Sequence, residues 1–327
     1  ARRKETQELF AGSERIELRS LAIRAVKIDG GQARVRLEAD ALVIDAGTGK
    51  EKAGYGKMMR ALHCVKEAGA WKVWREASAY DELATALAAA KSDQEREALL
   101  AGEKDLARAE LAQALIAKAR RQESYPQALA IFRLAQRVGE QVGAQLAVSS
   151  ALMGIGFVQS SQGDYAEALE HFQKSMAMLE SQDNKAGVSR ALNNIGNVHR
   201  YRGDYAEALK YYGKSLAVSG SLGDKSGTAD ALGNIGVVYS IQGNLARALN
   251  YYKKSLAVDE AAGNKLGIAI NLGNIGVIHR KQGAYEQALD HYRKSQAVSE
   301  AIGDKVGIAQ MLNNIGIVHR FKDDYAQ

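Results

Sequence analysis

Cysteine and proline are nearly missing from this chain, which holds one of each in 327 residues, Cys64 and Pro126. A single cysteine excludes an internal disulfide, and without a cysteine cluster no thiolate zinc site is expected. A single proline leaves every helical pattern after Pro126 free to run unbroken. No apolar run approaches the roughly 18 residues of a membrane helix, so no span is expected. Paired catalytic carboxylates are missing too, as are the HExxH, GxSxG and CxxC arrangements. The chain is therefore not expected to be an enzyme, and neither cofactor nor metal is expected. The nearest approach to a phosphate loop runs from Gly47-Thr48-Gly49-Lys50 to Gly54-Tyr55-Gly56-Lys57. It has Tyr55 where the lysine is required, and reads as a flexible hairpin loop.

A net charge of +6 would suit a nucleic acid, but it is concentrated at one end. Residues 1–78 hold 16 Lys/Arg against 11 Asp/Glu and the remainder 28 against 27, so phosphate-backbone binding by the larger part is not expected. The chain starts at Ala1 rather than methionine and stops at Gln327, three residues into a further copy of its repeat, so both ends are expected to be cut. The compartment stays open: cytoplasmic by default, periplasmic if a signal peptide has been removed.

What is present is a forty-residue unit written four times. The copies open YAEALEHFQKSMAM from Tyr165, YAEALKYYGKSLAV from Tyr205, LARALNYYKKSLAV from Leu245 and YEQALDHYRKSQAV from Tyr285. They close with ALNNIGNVHRYRGD, ALGNIGVVYSIQGN, NLGNIGVIHRKQGA and MLNNIGIVHRFKDD. Such a period marks an array of supersecondary units, each needing a neighbour to bury its apolar face. Tyr205, Ala208, Leu209, Tyr212, Leu216 and Ala217 fall on one stripe of a first helix. Leu192, Ile195, Gly196 and His199 do the same on a second.

Gly156, Gly196, Gly236, Gly276 and Gly316 stand in the middle of the second helix, where glycine costs about 1 kcal/mol relative to alanine. Close approach of a partner helix opposite Ala128, Ala168, Ala208, Ala248 and Ala288 is expected to offset that cost. Gly163-Asp164, Gly203-Asp204 and Gly243-Asn244 pair a helix-ending glycine with a cap for the next helix, as do Gly223-Asp224, Gly263-Asn264 and Gly303-Asp304. His199, His279 and His319 share a packing position with Tyr239, and that exchange reads as a half-buried aromatic rather than a metal ligand.

Leucine, then isoleucine-glycine, then His/Tyr, then Gly-Asp-Tyr, then alanine, aromatic and small residue: this order resembles the tetratricopeptide repeat. The unit is longer than that family's usual one and is similar to the forty-residue variety of kinesin light chains, Leu-Gly-Asn-repeat polarity proteins and bacterial arrays that precede a caspase-like CHAT domain. The resemblance covers Tyr125 to Gln327. It implies a mainly α protein, an α-α superhelix with a concave groove.

The beginning reads differently. After a short helical stretch at Glu5–Ala11, Ile16 to Ile28 and Ala33 to Ile44 alternate across Asp29-Gly30-Gly31 as an antiparallel hairpin. A third strand is expected over about Gly56 to Lys66 and a fourth from Trp71 to Glu76. His63 and Cys64, adjacent in a strand, point to opposite faces and form no dyad. Trp71 and Trp74 are also of opposite parity, and at least one is expected in the core. The GAWKVWRE stretch resembles the end of nuclear transport factor 2-like domains, which implies a small α+β module. From Tyr80 the pattern is helical: Tyr80 to Ala90, then a longer helix from a capping box at Ser92 to about Arg121. The expected domains are residues 1–78, a helical connector 79–108, and the array 109–327, opened by a degenerate first repeat.

Opposite the packing stripe of the second helix, asparagine recurs as Asn194, Asn234, Asn274 and Asn314, accompanied by Asn193, Asn197 and Tyr201. Asparagine is mildly unfavourable in mid-helix. Two roles stand open: a bond between repeats, or an amide offered to the backbone of an extended peptide, as the resemblance implies. Beside the ladder stand Arg200, Arg280, Lys281 and Arg320, read as a solvated row or as a contact for acidic side chains. The expected function is a protein-interaction scaffold whose groove binds a protein or peptide partner, possibly an acidic one. A second reading is the sensor half of a larger effector, for example a CHAT-type protease. A third is a small-molecule pocket in the N-terminal sheet.

Overall fold

A computed structural model describes residues 13–30, 32–45, 57–67 and 70–325. It divides into two compact units, Ala1–Val148 and Ser149–Gln327, each described here by itself. The helix expected at Glu5–Ala11, the loop before Lys57 and the side chain of Trp74 lie outside the described residues.

The first unit opens with a four-stranded antiparallel sheet in the order β1 (Ser13–Asp29), β2 (Gln32–Asp45), β3 (Lys57–Glu67), β4 (Ala70–Ser78). Gly30 sits at φ +55° between β1 and β2, a conformation that glycine adopts without steric cost. Helix α1 (Ala79–Ala89) follows, and α2 (Asp93–Gly102) is capped by Ser92, whose hydroxyl accepts from Glu95 N. The Glu95 carboxylate turns back to accept from Lys91 N at 2.8 Å.

The single helix expected from Ser92 to Arg121 is broken. Helix α2 ends at Gly102, a 3-10 turn covers Lys104–Leu106, and α3 spans Ala109–Ala119. Two gains accompany the break: Leu106 becomes fully buried, and Glu103 and Asp105 reach Arg36 of β2. Glu82 of α1 likewise meets Arg34 at 3.0 Å and His63 at 2.5 Å. One sheet face is thus covered. Leu21, Ile23, Val26 and Ile28 of β1 and Val73 and Trp71 of β4 remain exposed. Helix α4 (Tyr125–Gln141) carries Pro126 in its first turn, where the N–H that proline lacks would have had no intrahelical partner.

Helix α5 (Gln145–Gln162) leads into the second unit, which continues as α6 (Tyr165–Ser181), α7 (Lys185–Arg202), α8 (Tyr205–Ser221), α9 (Lys225–Ile241), α10 (Leu245–Ala262), α11 (Lys265–Lys281), α12 (Tyr285–Ile302) and α13 (Lys305–Tyr325). The arrangement is that of a solenoid, in which each helix packs on its sequence neighbours. Asn184, Asp224, Asn244, Asn264 and Asp304 each accept from a backbone N–H three residues on. Asp164 and Asp204 make no such cap bond. Asp204 instead lies 3.5 Å from His199 Nδ1 and 3.3 Å from Arg202 Nε. Among the described residues no helix is long and apolar enough to cross a membrane.

The mid-helix glycines are explained by rings rather than by the alanines. A Cβ built on Gly156 would lie 2.8 Å from Phe172, on Gly196 2.6 Å from Tyr212, on Gly236 2.8 Å from Tyr252, and on Gly276 2.6 Å from Tyr292. Each ring follows by four residues the alanine expected to make the contact. Ala168, Ala208, Ala248 and Ala288 are fully buried beside them. Each expected pair of stripes is therefore real, but the aromatic fills the space that glycine vacates.

Candidate functional site

Serine, recurring every forty residues in the first helices, forms a ladder between repeats. Ser175, Ser215, Ser255 and Ser295 are buried and donate to the carbonyls of Ser149, Ser189, Ala229 and Ala269 at 2.7 to 2.9 Å. These bonds fix each first helix against the preceding second helix. They also set the surface on which the asparagines stand.

The asparagines of the expected outward row, with Arg200 and Arg280, are half-buried, while Tyr201, Lys281 and Arg320 are exposed. Asn194 donates to Met153 Sδ at 3.8 Å, and Asn234 donates to Asn193 Oδ1 at 3.1 Å, one repeat back. Asn197 accepts from the Tyr212 hydroxyl at 2.8 Å, so its amide supports the packing ring. Burial pushes the Tyr212 phenol up to about 12, against the lowering influence of Arg200. Arg200 lies 4.2 Å over the ring of Tyr201, and Lys281 donates to the carbonyl and hydroxyl of Ser240 at 3.3 Å. Arg280 is half-buried with its Nε unpartnered, Asn314 is half-buried, and Arg320 is exposed. His199, Tyr239 and His279 are half-buried as expected, whereas His319 is exposed. His199 stacks on Tyr211 at 5.3 Å and Tyr239 on Tyr251 at 5.5 Å, with His279 tilted on His291 at 5.1 Å.

A cavity of about 270 Å³ opens among α7, α9, α10 and α11. Of the expected site residues it brings together Asn234 and Asn274. Arg200, Arg280, Lys281 and Arg320 do not line it. Its other polar side chains are Asn193, Ser255, Asn271, Asp230 and Asp259. Asp259 is 2% exposed and accepts from Asn264 and Asn271, both at 2.8 Å. Burial raises its carboxyl above the ordinary value despite those two donors. Asp230 is exposed at the cavity mouth, and its carboxyl is raised as well, by the crowding of protein around it and then by the nearby Asp259 and Asp224 charges.

Neither carboxylate recurs from repeat to repeat. Asp230 stands where the other copies have Arg190, Ile270 and Gln310. Asp259 stands where they have Leu179, Ser219 and Ser299. Recurrence marks the scaffold, and departure from recurrence marks what one repeat does alone.

The sequence profile of the tetratricopeptide repeat matches residues 105–181, 187–261 and 267–327. No curated protein matches the chain. Among solved structures, aspartyl phosphate phosphatase F from Bacillus subtilis is similar at 15% identity and a TM-score of 0.60, over 72% of this chain and 63% of that one. NprR in complex with its cognate peptide NprX is similar at 19% identity and 0.51, over 75% and 72%. A signal transduction ATPase with a tetratricopeptide repeat sensor from Pyrococcus horikoshii gives 16% and 0.55, over 69% and 34%. The chain thus spans less than two thirds of the length of the first and about one third of the last. At these identities the likeness is one of fold. The profile match, which takes in most of the chain, carries the assignment: the chain belongs to the tetratricopeptide repeat family.

Proposed function

We propose that the chain is a protein-interaction scaffold that holds an extended peptide along its second helices, α7, α9, α11 and α13. The observation that carries this reading is the cavity where the Asn234 and Asn274 amides, from adjacent repeats, converge beside Asp230. An amide offers both donor and acceptor to a peptide backbone. The fold of NprR, solved with a bound peptide, supports the same use of this architecture. Lys281 and Arg200 are engaged within the protein, whereas Asp230 faces the cavity. At this point of the groove a cationic side chain is favoured, and acidic side chains are left to Arg320, because Arg280 lies against the Tyr292 hydroxyl as Arg200 lies against that of Tyr212.

The test is a displayed library of short random peptides selected on the 327-residue protein. Selected peptides are then titrated against wild type, the Asn234→Ala/Asn274→Ala double variant and Asp230→Asn. The double variant is expected to lose about 1 to 3 kcal/mol of binding with stability unchanged. Peptides that bind all three proteins equally would place the binding surface elsewhere.

A further inference from the structure

The strand register sorts the side chains of the sheet into two unlike faces. Arg34, Arg36, Glu38 and His63 share one face, and there Arg34 and Arg36 meet Glu82, Glu103 and Asp105 of the helices and turn that cover it. The charged face is thus the covered one. On the other face Leu21 and Ile23 of β1 pair with Ala39 and Leu37 of β2, and Val26 and Ile28 pair with Val35 and Ala33. Apart from Arg60, Lys66 and Ser78 at the end of β4, every described side chain that the register places there is apolar. Leu21, Ile23, Val26 and Ile28, with Val73 of β4, are each more than half exposed.

A β-bulge keeps this face apolar. In a regular strand Leu21 and Ile23 would point to the face opposite Val26 and Ile28, because side chains alternate with a period of two. The register shift between Ile23 and Ala25 returns Val26 to the side of Ile23, and the extra residue, Arg24, pairs with Glu38 of the charged face. Two pairs of large apolar residues are therefore gathered on the side that nothing described covers.

Over residues 32–40, where β2 pairs with β3, the four strands present a face of about 30 by 19 Å. Two such faces in contact take about 1,100 Å² out of water, above the roughly 1,000 Å² that a specific interface requires. So apolar a surface is characteristic of permanent interfaces, and in soluble proteins these most often join two copies of one chain about a two-fold axis. A sheet face also fits another sheet face about 10 Å away.

We propose that the uncovered face packs against the same face of a second copy of this chain, forming a two-fold sandwich of eight strands. Arg60 and Lys66 lay their stems along the contact and carry their charges to its rim. The surface belongs to the sheet-bearing unit and is independent of the peptide reading of the repeats.

Light scattering on a sizing column, with the 327-residue protein at about 1 to 100 µM, spans the affinities expected of an interface this small. A dimer is expected within that range. Ile23→Lys/Val26→Lys should raise its dissociation constant at least about a hundredfold, since each copy would bring two charges into an apolar contact, and far-UV circular dichroism should stay unchanged. Should that variant lose helix or strand signal, Val73→Lys on the opposite edge of the sheet replaces it, with the same outcome expected. Leu266→Lys, at an exposed apolar position of the repeats, should leave the dimer intact. A chain that is monomeric throughout, or a dimer that survives the folded sheet variant or is lost in Leu266→Lys, would overturn the proposal. A monomer that floats with phosphatidylcholine vesicles, and ceases to do so in Ile23→Lys/Val26→Lys, would overturn it too and give the face to lipid.

Discussion

The ring of Tyr212 occupies the space that a side chain at Gly196 would need: a Cβ there would lie 2.6 Å from the Tyr212 ring. The ring is fully buried, and its hydroxyl is tied to Asn197, so it has little freedom to withdraw. Gly196→Ala should therefore destabilise by about 1 to 3 kcal/mol through overpacking, although alanine is the better helix former by about 1 kcal/mol. Gly316 has nothing within 4 Å of its missing Cβ, and Gly316→Ala should be neutral or stabilising. Urea denaturation of the two variants checks this, and equal destabilisation would refute the ring explanation.

Asn197 also predicts its own substitution. The same position two repeats on is Val277, and there the buried Tyr292 hydroxyl has no amide partner and only the Arg280 guanidinium beside it. Asn197→Val should cost about 1 kcal/mol by leaving the Tyr212 hydroxyl only its Arg200 neighbour, and adding Tyr212→Phe should recover most of the loss. Val277→Asn should stabilise by about 0.5 to 1.5 kcal/mol if its amide reaches Tyr292. Denaturation midpoints of the four proteins decide it, and a double variant no better than Asn197→Val would sink the account.

His279 makes stability depend on pH. Burial, then the neighbouring His291 and Lys253, lower its pKa below the ordinary imidazole value. Between the lowered folded value and the ordinary one near 6.5, the unfolded chain binds more protons than the folded chain. Stability is thus fully present above that ordinary value and is lost as pH falls through the window. His279→Tyr, which copies the Tyr239 stack on Tyr251, should flatten the melting temperature across this range. A pH profile identical to wild type would contradict it.

Asp259 works in the opposite sense. Its folded pKa is raised, so the folded chain binds more protons than the unfolded one between the ordinary carboxylate value near 3.9 and the raised one. Its ionised form therefore weighs against the fold at neutral pH. Asp259→Ser, the residue found at Ser219 and Ser299, should raise the melting temperature at neutral pH and converge with wild type under acid conditions. A variant less stable than wild type at neutral pH would show that the Asn264 and Asn271 bonds outweigh the burial of the charge.

The repeats themselves were legible because period and periodicity report packing directly. Positions such as Leu192, Ile195 and Gly196 recur with their burial, and the hairpin was marked by alternation on either side of Gly30. What escaped was set by contacts between elements. No local signal ends α2 at Gly102 except its weak helix propensity, and the ion pairs of Glu103 and Asp105 with Arg36 span nearly seventy residues. The asparagine ladder was visible, yet its division of labour was not. Whether Asn197 faces a partner or a tyrosine hydroxyl depends on Tyr212, fifteen residues away across a turn.

Deleting Tyr205 to Asn244 should leave a shorter folded array, and the contacts around the cut say why. The deletion joins Asp204 to Leu245, the first residue of a helix equivalent to the one removed. Tyr252 then takes the place of Tyr212 over Gly196, and its hydroxyl meets Asn197. Ser255, which donates to the Ala229 carbonyl in the intact chain, meets the Ser189 carbonyl that Ser215 used. The serine and tyrosine bonds lost at the cut are thus replaced by bonds of the same kind, whereas the Lys281 bond to the Ser240 hydroxyl is lost because Arg200 stands in the place of Ser240, and stability in such arrays is a sum of units and nearest-neighbour interfaces. A deletion out of register, such as Gly213 to Asp259, offers no such replacement and should unfold the repeats around it. Circular dichroism of the two deletions, scaled to helix content per residue, distinguishes them. Equal loss of helix in both would mean that the units do not stack interchangeably.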